Sequence, residues 1–351
     1  MRYPKTPLAL INVAKVSRKL SLLLALLISG CTVDSDSEFA VYRDRLSRTL
    51  AVDITEPSPL KAPMPALAAI TPVMIPELKI ELLDMFAVDE CGMRPAKPAL
   101  GQLIAQRNSS LGKVMDASTQ LQYELQLLET MQACLAEPKL TDEIKTQLTP
   151  IYVNKQQQLP LRLANFLSQD QTLNQQLQGS HRALTLDSGQ GSETVTALKQ
   201  LISLRALIDA NQIAEAASID INQQLAVLHQ GQILADLQHS LRSNLTQMQA
   251  LNQQLNTWPV DWCQPARQTI LEQVLIQVFI GKVQQQLAHQ DRIAQEVLPL
   301  LETLFANHPY QQEVTRRFTQ PKQQLHAQLK QHVRWWQQRE QACNSTQTPS
   351  A

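Results

Sequence analysis

The chain of 351 residues carries 31 basic and 31 acidic side chains, and removal of residues 1–30, which hold five basic and no acidic residues, leaves a net charge of −5. A mildly acidic chain without a basic run is poorly suited to bind nucleic acid, so that class of partner is set aside. With nine glycines, 4% aromatic residues and abundant Leu, Ala and Gln, the composition favours helices over strands. It predicts an all-α fold, an elongated bundle of antiparallel helical hairpins. The many glutamines are most simply explained as neutral helix formers on solvated helix faces.

Residues 1–30 have the pattern of a secretory signal peptide, with a basic start followed by an apolar run from Leu20 to Ile28. The sequence Ile28-Ser29-Gly30-Cys31 resembles the bacterial lipobox, whose cysteine receives a diacylglyceryl group and becomes the first residue after cleavage. The resemblance implies a lipid on Cys31 and, because Thr32 replaces the aspartate of inner-membrane retention, a place on the periplasmic side of the outer membrane. An ordinary signal peptide with a chance cysteine is the alternative.

The next two segments connect this anchor to the body of the protein. Residues 31–52 are predicted to form a lipid-attached amphipathic helix from about Asp36 to Leu50, with Phe39, Tyr42, Leu46 and Leu50 on its apolar face. Residues 53–80 contain six prolines, which forbid a regular helix and favour extended chain. Because the same segment is rich in Leu, Ile, Val and Met, we expect a strap packed on the helices rather than a free spacer or a ligand for a proline-binding domain.

Residues 81–178 are predicted to be an N-terminal helical subdomain that starts with a hairpin. From Leu140 to Leu177 it is expected to continue as shorter helices broken at Pro150 and Pro160, with Thr141 and Thr149 as N-caps. In the hairpin, one helix is expected from about Pro98 to Arg107 and a second from about Ala117 to Leu135. An antiparallel hairpin brings the start of its first helix beside the end of its second, which is where Cys91 and Cys134 lie in the sequence.

This block resembles a family of Gram-negative bacterial lipoproteins of unknown function, in which a cysteine, an RNS-LG turn and a YE pair recur. The resemblance implies the fold and location but no activity, and the matching positions are most simply structural. They are Cys91, Arg107, Asn108, Ser109, Leu111, Gly112, Tyr123, Glu124 and Cys134.

Two chemical interpretations of the block compete with structural ones. Ser110 and Lys113 form an S-x-x-K pair, as in penicillin-binding proteins, but the S-x-N and K-T-G motifs of those enzymes do not occur in the sequence. Arg107, Tyr123 and Glu124 could form a polar binding site. The favoured hypothesis is a shielded ion pair between Arg107 and Glu124 across the hairpin.

The remainder of the chain divides at its glycine-rich interval. Residues 179–193 are predicted to be a mobile loop, residues 194–343 a C-terminal subdomain of long helices, and residues 344–351 a flexible tail. The long helices are expected from Ser192 to Ala217, from Asp220 to Asn256, from Cys263 to about Pro299 and from Tyr310 to Cys343. The third is apolar on nearly every face from Ile270 to Ile280, which favours a buried central helix over a membrane span.

With Cys31 lipidated, four cysteines remain, and an even number in an oxidising periplasm indicates two disulfides. Of the three possible pairings, we expect Cys91 with Cys134 and Cys263 with Cys343, because each pair flanks a segment of antiparallel helices whose two ends lie close together. No two cysteines have the close spacing of a zinc site and the seven histidines form no ligand motif, so we expect no metal.

No cofactor fingerprint or recognisable catalytic constellation occurs. The expected function is a lipid-tethered, non-catalytic interaction or scaffold protein of the cell envelope, with an envelope protein as its partner. Two alternatives are a helical module that binds a lipid or other hydrophobic ligand, and an envelope hydrolase with an unfamiliar site. An enclosed apolar cavity would favour ligand carriage, and converging polar side chains in a cleft would favour an enzyme.

Overall fold

The computed structural model describes residues 35–57, 64–76, 91, 97–109, 115–188, 191–259 and 263–345. These residues form helices and no strand, which confirms the all-α prediction for this part of the chain. The predicted signal peptide, Cys31, the Ser110 to Lys113 motif and the residues from 346 onward lie outside the described residues.

The α-helices are numbered in chain order and are interrupted by two π-helical segments. They are α1 (Ser35–Leu50), α2 (Leu100–Asn108), α3 (Ala117–Leu135), α4 (Asp142–Gln169), α5 (Gln171–Gln178), α6 (Ser192–Asp209), α7 (Ile213–Ala217), α8 (Ile221–Gly231), α9 (Ile233–Leu255), α10 (Pro265–Gln273), α11 (Gln284–Leu304), α12 (Gln311–Val314) and α13 (Gln320–Ser345), with π-helical turns at Val274–Val283 and Thr315–Thr319.

Four helices begin at a side chain that caps their free N–H groups. Asp116, Thr141, Asp170 and Asp220 each accept a hydrogen bond from the backbone N–H three residues ahead, at 2.7 to 3.4 Å. Such caps stabilise a helix start by about 1 kcal/mol. The predicted cap at Thr141 is confirmed.

The prediction of short helices broken at Pro150 and Pro160 is wrong. Both prolines lie inside α4, which is continuous over 28 residues. A proline removes one backbone hydrogen bond and bends a helix, but packing on neighbouring helices can hold the two halves in line. Thr149, expected as a cap, instead donates its hydroxyl proton to the carbonyl of Lys145 at 2.7 Å.

Three other predicted helix limits also differ from the structure. The helix expected from Ser192 to Ala217 is divided into α6 and α7 between Asp209 and Ile213. The helix expected to end near Pro299 continues to Leu304. The long helix expected from Asp220 to Asn256 is divided into α8 and α9 at Gln232, whose left-handed backbone (φ 49°) stops the helical hydrogen bonding.

The long apolar helix around Ile276 is buried on one face only. Leu271, Val274 and Val278 are buried, whereas Ile276 is 60% exposed, so the predicted fully buried central helix is corrected to a half-buried one. Within the described residues we find no helix with the length and apolar character that crossing a membrane requires.

The hydrophobic side chains form two clusters. The larger one includes the predicted apolar face of α1, which is confirmed, and continues through α9, α11 and α13. The smaller one lies at the hairpin of α2 and α3 and consists of Cys91, Leu100, Leu103, Ile104, Tyr123, Leu127, Met131, Cys134 and Leu148.

Two disulfides join the cysteine pairs that the sequence predicts. Cys91 bonds Cys134 with Cα atoms 5.0 Å apart, and Cys263 bonds Cys343 with Cα atoms 5.4 Å apart. The first closes the hairpin of α2 and α3 at its open end. The second links Cys263, two residues before α10, to the last turn of α13.

The interval predicted as a mobile loop has an anchored centre. The side chain of Leu184 is fully buried, its N–H donates to the Ser240 hydroxyl at 2.7 Å, and its carbonyl accepts from Gln290 at 2.8 Å and from Gln286. Glycine content marks a turn but does not reveal how the turn packs, and residues 189 and 190 lie outside the described residues.

A buried polar network joins α1 to the C-terminal helix. Asn252 uses its amide N–H to bond Gln328, so its carbonyl oxygen accepts from Nδ1 of His332 at 3.0 Å. Nε2 of His332 therefore accepts the hydroxyl proton of Tyr42 at 2.8 Å, and the Trp336 indole N–H donates to the Tyr42 hydroxyl at 3.1 Å. Every donor in this hydrogen-bond network has an acceptor, and this arrangement requires the uncharged imidazole of His332.

We expect stability to fall in mild acid because of this histidine. Burial lowers the pKa of His332 to about 3, below its usual 6.5, so the fold stabilises the neutral ring above pH 6.5 and this contribution is lost as pH falls toward 3. At pH 5 the loss is about 2 kcal/mol. Denaturant unfolding between pH 7.5 and 5 should show it, and His332→Gln should flatten that dependence.

The exposed His229 supplies the control, because His229→Gln should leave the pH dependence as in the wild type. Equal slopes for the wild type and His332→Gln would contradict the assignment.

Candidate functional site: the cleft at Arg162

A buried cluster of three charged side chains lies between α3 and α4. Glu124 accepts a hydrogen bond from Lys155 at 2.8 Å on one carboxylate oxygen, and its other oxygen forms an ion pair with Nη2 of Arg162 at 3.2 Å. The three side chains are 3%, 8% and 7% exposed. Two positive charges and one negative charge therefore share a site from which water is nearly excluded.

The predicted ion pair between Arg107 and Glu124 is wrong, because the carboxylate turns to α4 instead of α2. The neighbour of Glu124 on α3, Tyr123, is the residue that faces α2, and its hydroxyl donates to the carbonyl of Leu103 at 3.0 Å. Burial raises the pKa of the Tyr123 hydroxyl, Glu124 raises it further, and Arg107 partly offsets both. Adjacent helix positions point about 100° apart, so only one of the two can face the hairpin partner.

Lys155 and Arg162 were not among the predicted site residues, although the sequence contains a signal for them. They lie seven residues apart, which is two helical turns, and therefore on one face of α4. The same face carries buried Leu148, Leu159 and Phe166. Two cations on an apolar face indicate a buried anionic partner, which here is Glu124.

Arg162 also lines a cleft of about 260 Å³ between α3, α4 and the proline-rich segment. The lining residues are Pro72, Val73, Met74, Ile75, Ala117, Gln120, Leu121, Arg162 and Asn165. Arg162 is the charged residue among them, and most of the others are apolar. Its Nε–H is buried and has no hydrogen-bond acceptor in the structure.

One wall of the cleft is extended chain whose backbone is held by a side-chain amide. Asn165 on α4 accepts from the N–H of Val73 at 2.8 Å and donates to the carbonyl of the same residue at 2.9 Å. This paired contact copies the hydrogen bonding of a neighbouring strand. It fixes the backbone at the cleft without using the side chain of Val73.

Further contacts hold the segment 64–76 on the helices. Gln178 bonds the carbonyl of Met64 at 2.9 Å and the N–H of Leu67 at 3.0 Å, and Gln169 bonds the carbonyl of Ile70 at 2.6 Å. The described part of the predicted strap thus lies on the helical body. The prediction for residues 53–80 as a whole stays a prediction, because residues 58–63 and 77–80 lie outside the described residues.

A second groove, of about 350 Å³, lies between α11 and α13. It contains His326, whose Nε2 lies 2.8 Å from Asp291, and Lys322, whose ammonium lies 3.5 Å from the same carboxylate. Both contacts are partly exposed and lie where two helices meet, and a partly exposed lysine–aspartate ion pair contributes little to stability.

The remaining residues of the resembling block lie at the end of α2. Ser109 ends that helix, and its hydroxyl donates to the carbonyl of Gln106 at 2.7 Å, while Asn108 is exposed. Leu111 and Gly112 lie outside the described residues. The described residues contain no group of His, Cys, Asp and Glu side chains that could hold a metal ion.

A family model described as a protein of unknown function, DUF3080, matches residues 39–347. The chain belongs to the DUF3080 family. The match runs from α1 to beyond the end of α13, so it includes the Arg162 cleft, the buried cluster and both disulfides. No curated protein and no solved structure matches the chain.

Proposed function

We propose that the protein is an outer-membrane lipoprotein, tethered on the periplasmic side through Cys31, that acts as a non-catalytic interaction protein of the cell envelope. The signal peptide, the lipobox and two disulfides are all typical of an exported protein. Only three residues separate Cys31 from Ser35, the first residue of α1. A lipid on Cys31 therefore tethers the helical body to the membrane by a very short link.

The observation that carries the proposal is the extended chain beside the cleft. Met74 is 93% exposed and Val73 is 47% exposed, yet Asn165 holds the backbone between α3 and α4. Exposed apolar side chains on a fixed extended backbone are the elements by which proteins recognise one another. Residues 73 to 75 are accordingly the proposed contact surface for an envelope protein.

The two alternative functions have less support. Carriage of an apolar ligand would be favoured by an enclosed apolar cavity, and the two cavities described above both open to solvent and include polar side chains. A hydrolase would need a nucleophile beside its base. His326 bonds Asp291, but the described contacts place no serine or cysteine at its ring.

The proposal is tested with a photo-crosslinking amino acid at position 74 of the full-length lipoprotein in intact cells. We expect a discrete crosslinked product with an envelope protein, because residue 74 is exposed beside a fixed backbone. The matched control carries the same amino acid at Lys330, an exposed position on α13, and should give no such product. Cys31→Ser should abolish labelling by a palmitate analogue and reduce the product from position 74.

Equal products from positions 74 and 330 would contradict the contact surface. A Cys31→Ser protein that still takes up the lipid label and fractionates with the outer membrane would contradict the anchor.

A further inference from the structure

The Arg162 cluster has one positive charge more than its own residues balance. Glu124 is the negative partner of both Lys155 and Arg162, and all three side chains are at least nine-tenths buried. An unbalanced charge at a buried site is costly in an isolated protein, and an anion placed beside it recovers part of that cost. The site is therefore suited to receive one further negative charge.

Arg162 places this charge at the lining of the cleft. The two contacts described for its guanidinium, with Glu124 at 3.2 Å and Gln158 at 3.4 Å, both use Nη2. Nε has no acceptor, and the residue forms part of the cleft lining. A guanidinium has five N–H donors and binds an oxyanion through two of them at once.

The carboxylate of Asp116, which adjoins the cleft lining in sequence, already has hydrogen-bond partners of its own. Asp116 precedes Ala117 of the lining, and its carboxylate accepts from the Thr119 N–H at 2.7 Å and from the Ser118 hydroxyl at 2.9 Å. It caps α3. The rest of the lining is mostly apolar, with Leu121, Val73 and Ile75 among its members.

We infer that the cleft is a binding site for a carboxylate that carries a short aliphatic chain. The carboxylate would bond the Arg162 guanidinium, and the chain would lie against the apolar lining. A volume of about 260 Å³ admits a small molecule of this kind. A single surplus charge matches a monoanion, whereas a phosphate monoester would bring a second, unbalanced negative charge. The inference does not depend on the lipid anchor.

The test is calorimetric titration of the full-length protein with hexanoate, hexyl phosphate and hexylamine. We expect hexanoate to bind, hexyl phosphate to bind more weakly and hexylamine not to bind. Arg162→Gln should weaken hexanoate binding by about tenfold or more, which is at least about 1.4 kcal/mol. This variant leaves Glu124 paired with Lys155, so the fold should persist.

A further variant leaves the charges in place and fills the cleft. Val73→Trp should weaken hexanoate binding to a similar extent, because only the side chain changes and the Asn165 contacts are made by the backbone. Ile276→Trp, at an exposed isoleucine that does not line the cleft, is the control and should bind as the wild type. Absence of hexanoate binding, binding unchanged in both cleft variants, or tighter binding of hexyl phosphate would each overturn the inference.

Discussion

Glu124→Ala is expected to lower the free energy of unfolding by about 3–5 kcal/mol, because it leaves Lys155 and Arg162 without their counter-charge. Both cations are more than nine-tenths buried, so water cannot replace the carboxylate without opening the packing between α3 and α4. The loss is measured by denaturant unfolding at neutral pH. Glu296→Ala, at an exposed position on α11, should change the same quantity by less than about 0.5 kcal/mol.

The effect should also be strongly non-additive. The triple replacement Glu124→Leu, Lys155→Met and Arg162→Met should recover most of the stability lost in Glu124→Ala, because an apolar cluster of similar volume is no less stable than a buried ion cluster. If Glu124→Ala costs no more than the Glu296→Ala control, the carboxylate is not the buried counter-charge that the contacts indicate.

The fold class could be predicted because it depends on composition and short-range patterns. The apolar spacing of Phe39, Tyr42, Leu46 and Leu50 places them on one face of α1, and all four are buried. The disulfide pairing could be predicted as well, since a hairpin returns the chain to its starting point. Both inferences use only the period of a helix and the order of elements along the chain.

The ends of helices were less predictable where tertiary packing overrides the local tendency of proline and glycine to end a helix. Pro150 and Pro160 lie within a single helix that is packed along α3. The division at Gln232 carries no strong sequence signal beyond the preceding Gly231. Local rules estimate the free energy that a proline or glycine costs within a helix. Packing against the neighbouring helices determines whether that cost is offset.

Only part of the candidate site could be predicted from the sequence. Tyr123 and Glu124 form a polar pair on an apolar helix, which the sequence shows, but the partner of Glu124 depends on which helix packs on which side of α3. That is a long-range property. Lys155 and Arg162 have a local signal, since their seven-residue spacing places two cations on one face of α4. The spacing indicates a buried anion but does not indicate which carboxylate supplies it.

Glutamine is the residue type whose role the sequence concealed. Composition predicts solvated helix faces, yet Gln176, Gln178 and Gln254 bond both N–H and carbonyl groups of other segments. An uncharged amide carries a donor and an acceptor and can satisfy irregular backbone without the cost of burying a charge. Which glutamines do so depends on where the irregular chain passes, which composition cannot indicate.

Removal of the disulfide between Cys263 and Cys343 is also expected to lower the free energy of unfolding by several kcal/mol. The bond closes a loop with a sequence separation of 80 residues, whereas the bond between Cys91 and Cys134 spans 43. In the chain-entropy model these loops correspond to about 4.5 and about 4 kcal/mol of stabilisation, through restriction of the unfolded chain. The double variant Cys263→Ser, Cys343→Ser should therefore lower the free energy of unfolding by about 4–5 kcal/mol.

The measurement is denaturant unfolding of oxidised protein, repeated after reduction. Reduction of the wild type should lower the stability by more than either double variant does, because it opens both loops, and each double variant should retain the reducible contribution of its remaining bond. The bond between Cys91 and Cys134 belongs to the smaller hydrophobic cluster, which contains neither Cys263 nor Cys343, so the effects of the two bonds should be close to additive. Non-reducing peptide mapping supplies the independent check. A peptide that joins Cys134 to Cys263, or a free thiol at any of the four cysteines in protein purified from the periplasm, would contradict the connectivity on which the expected values rest.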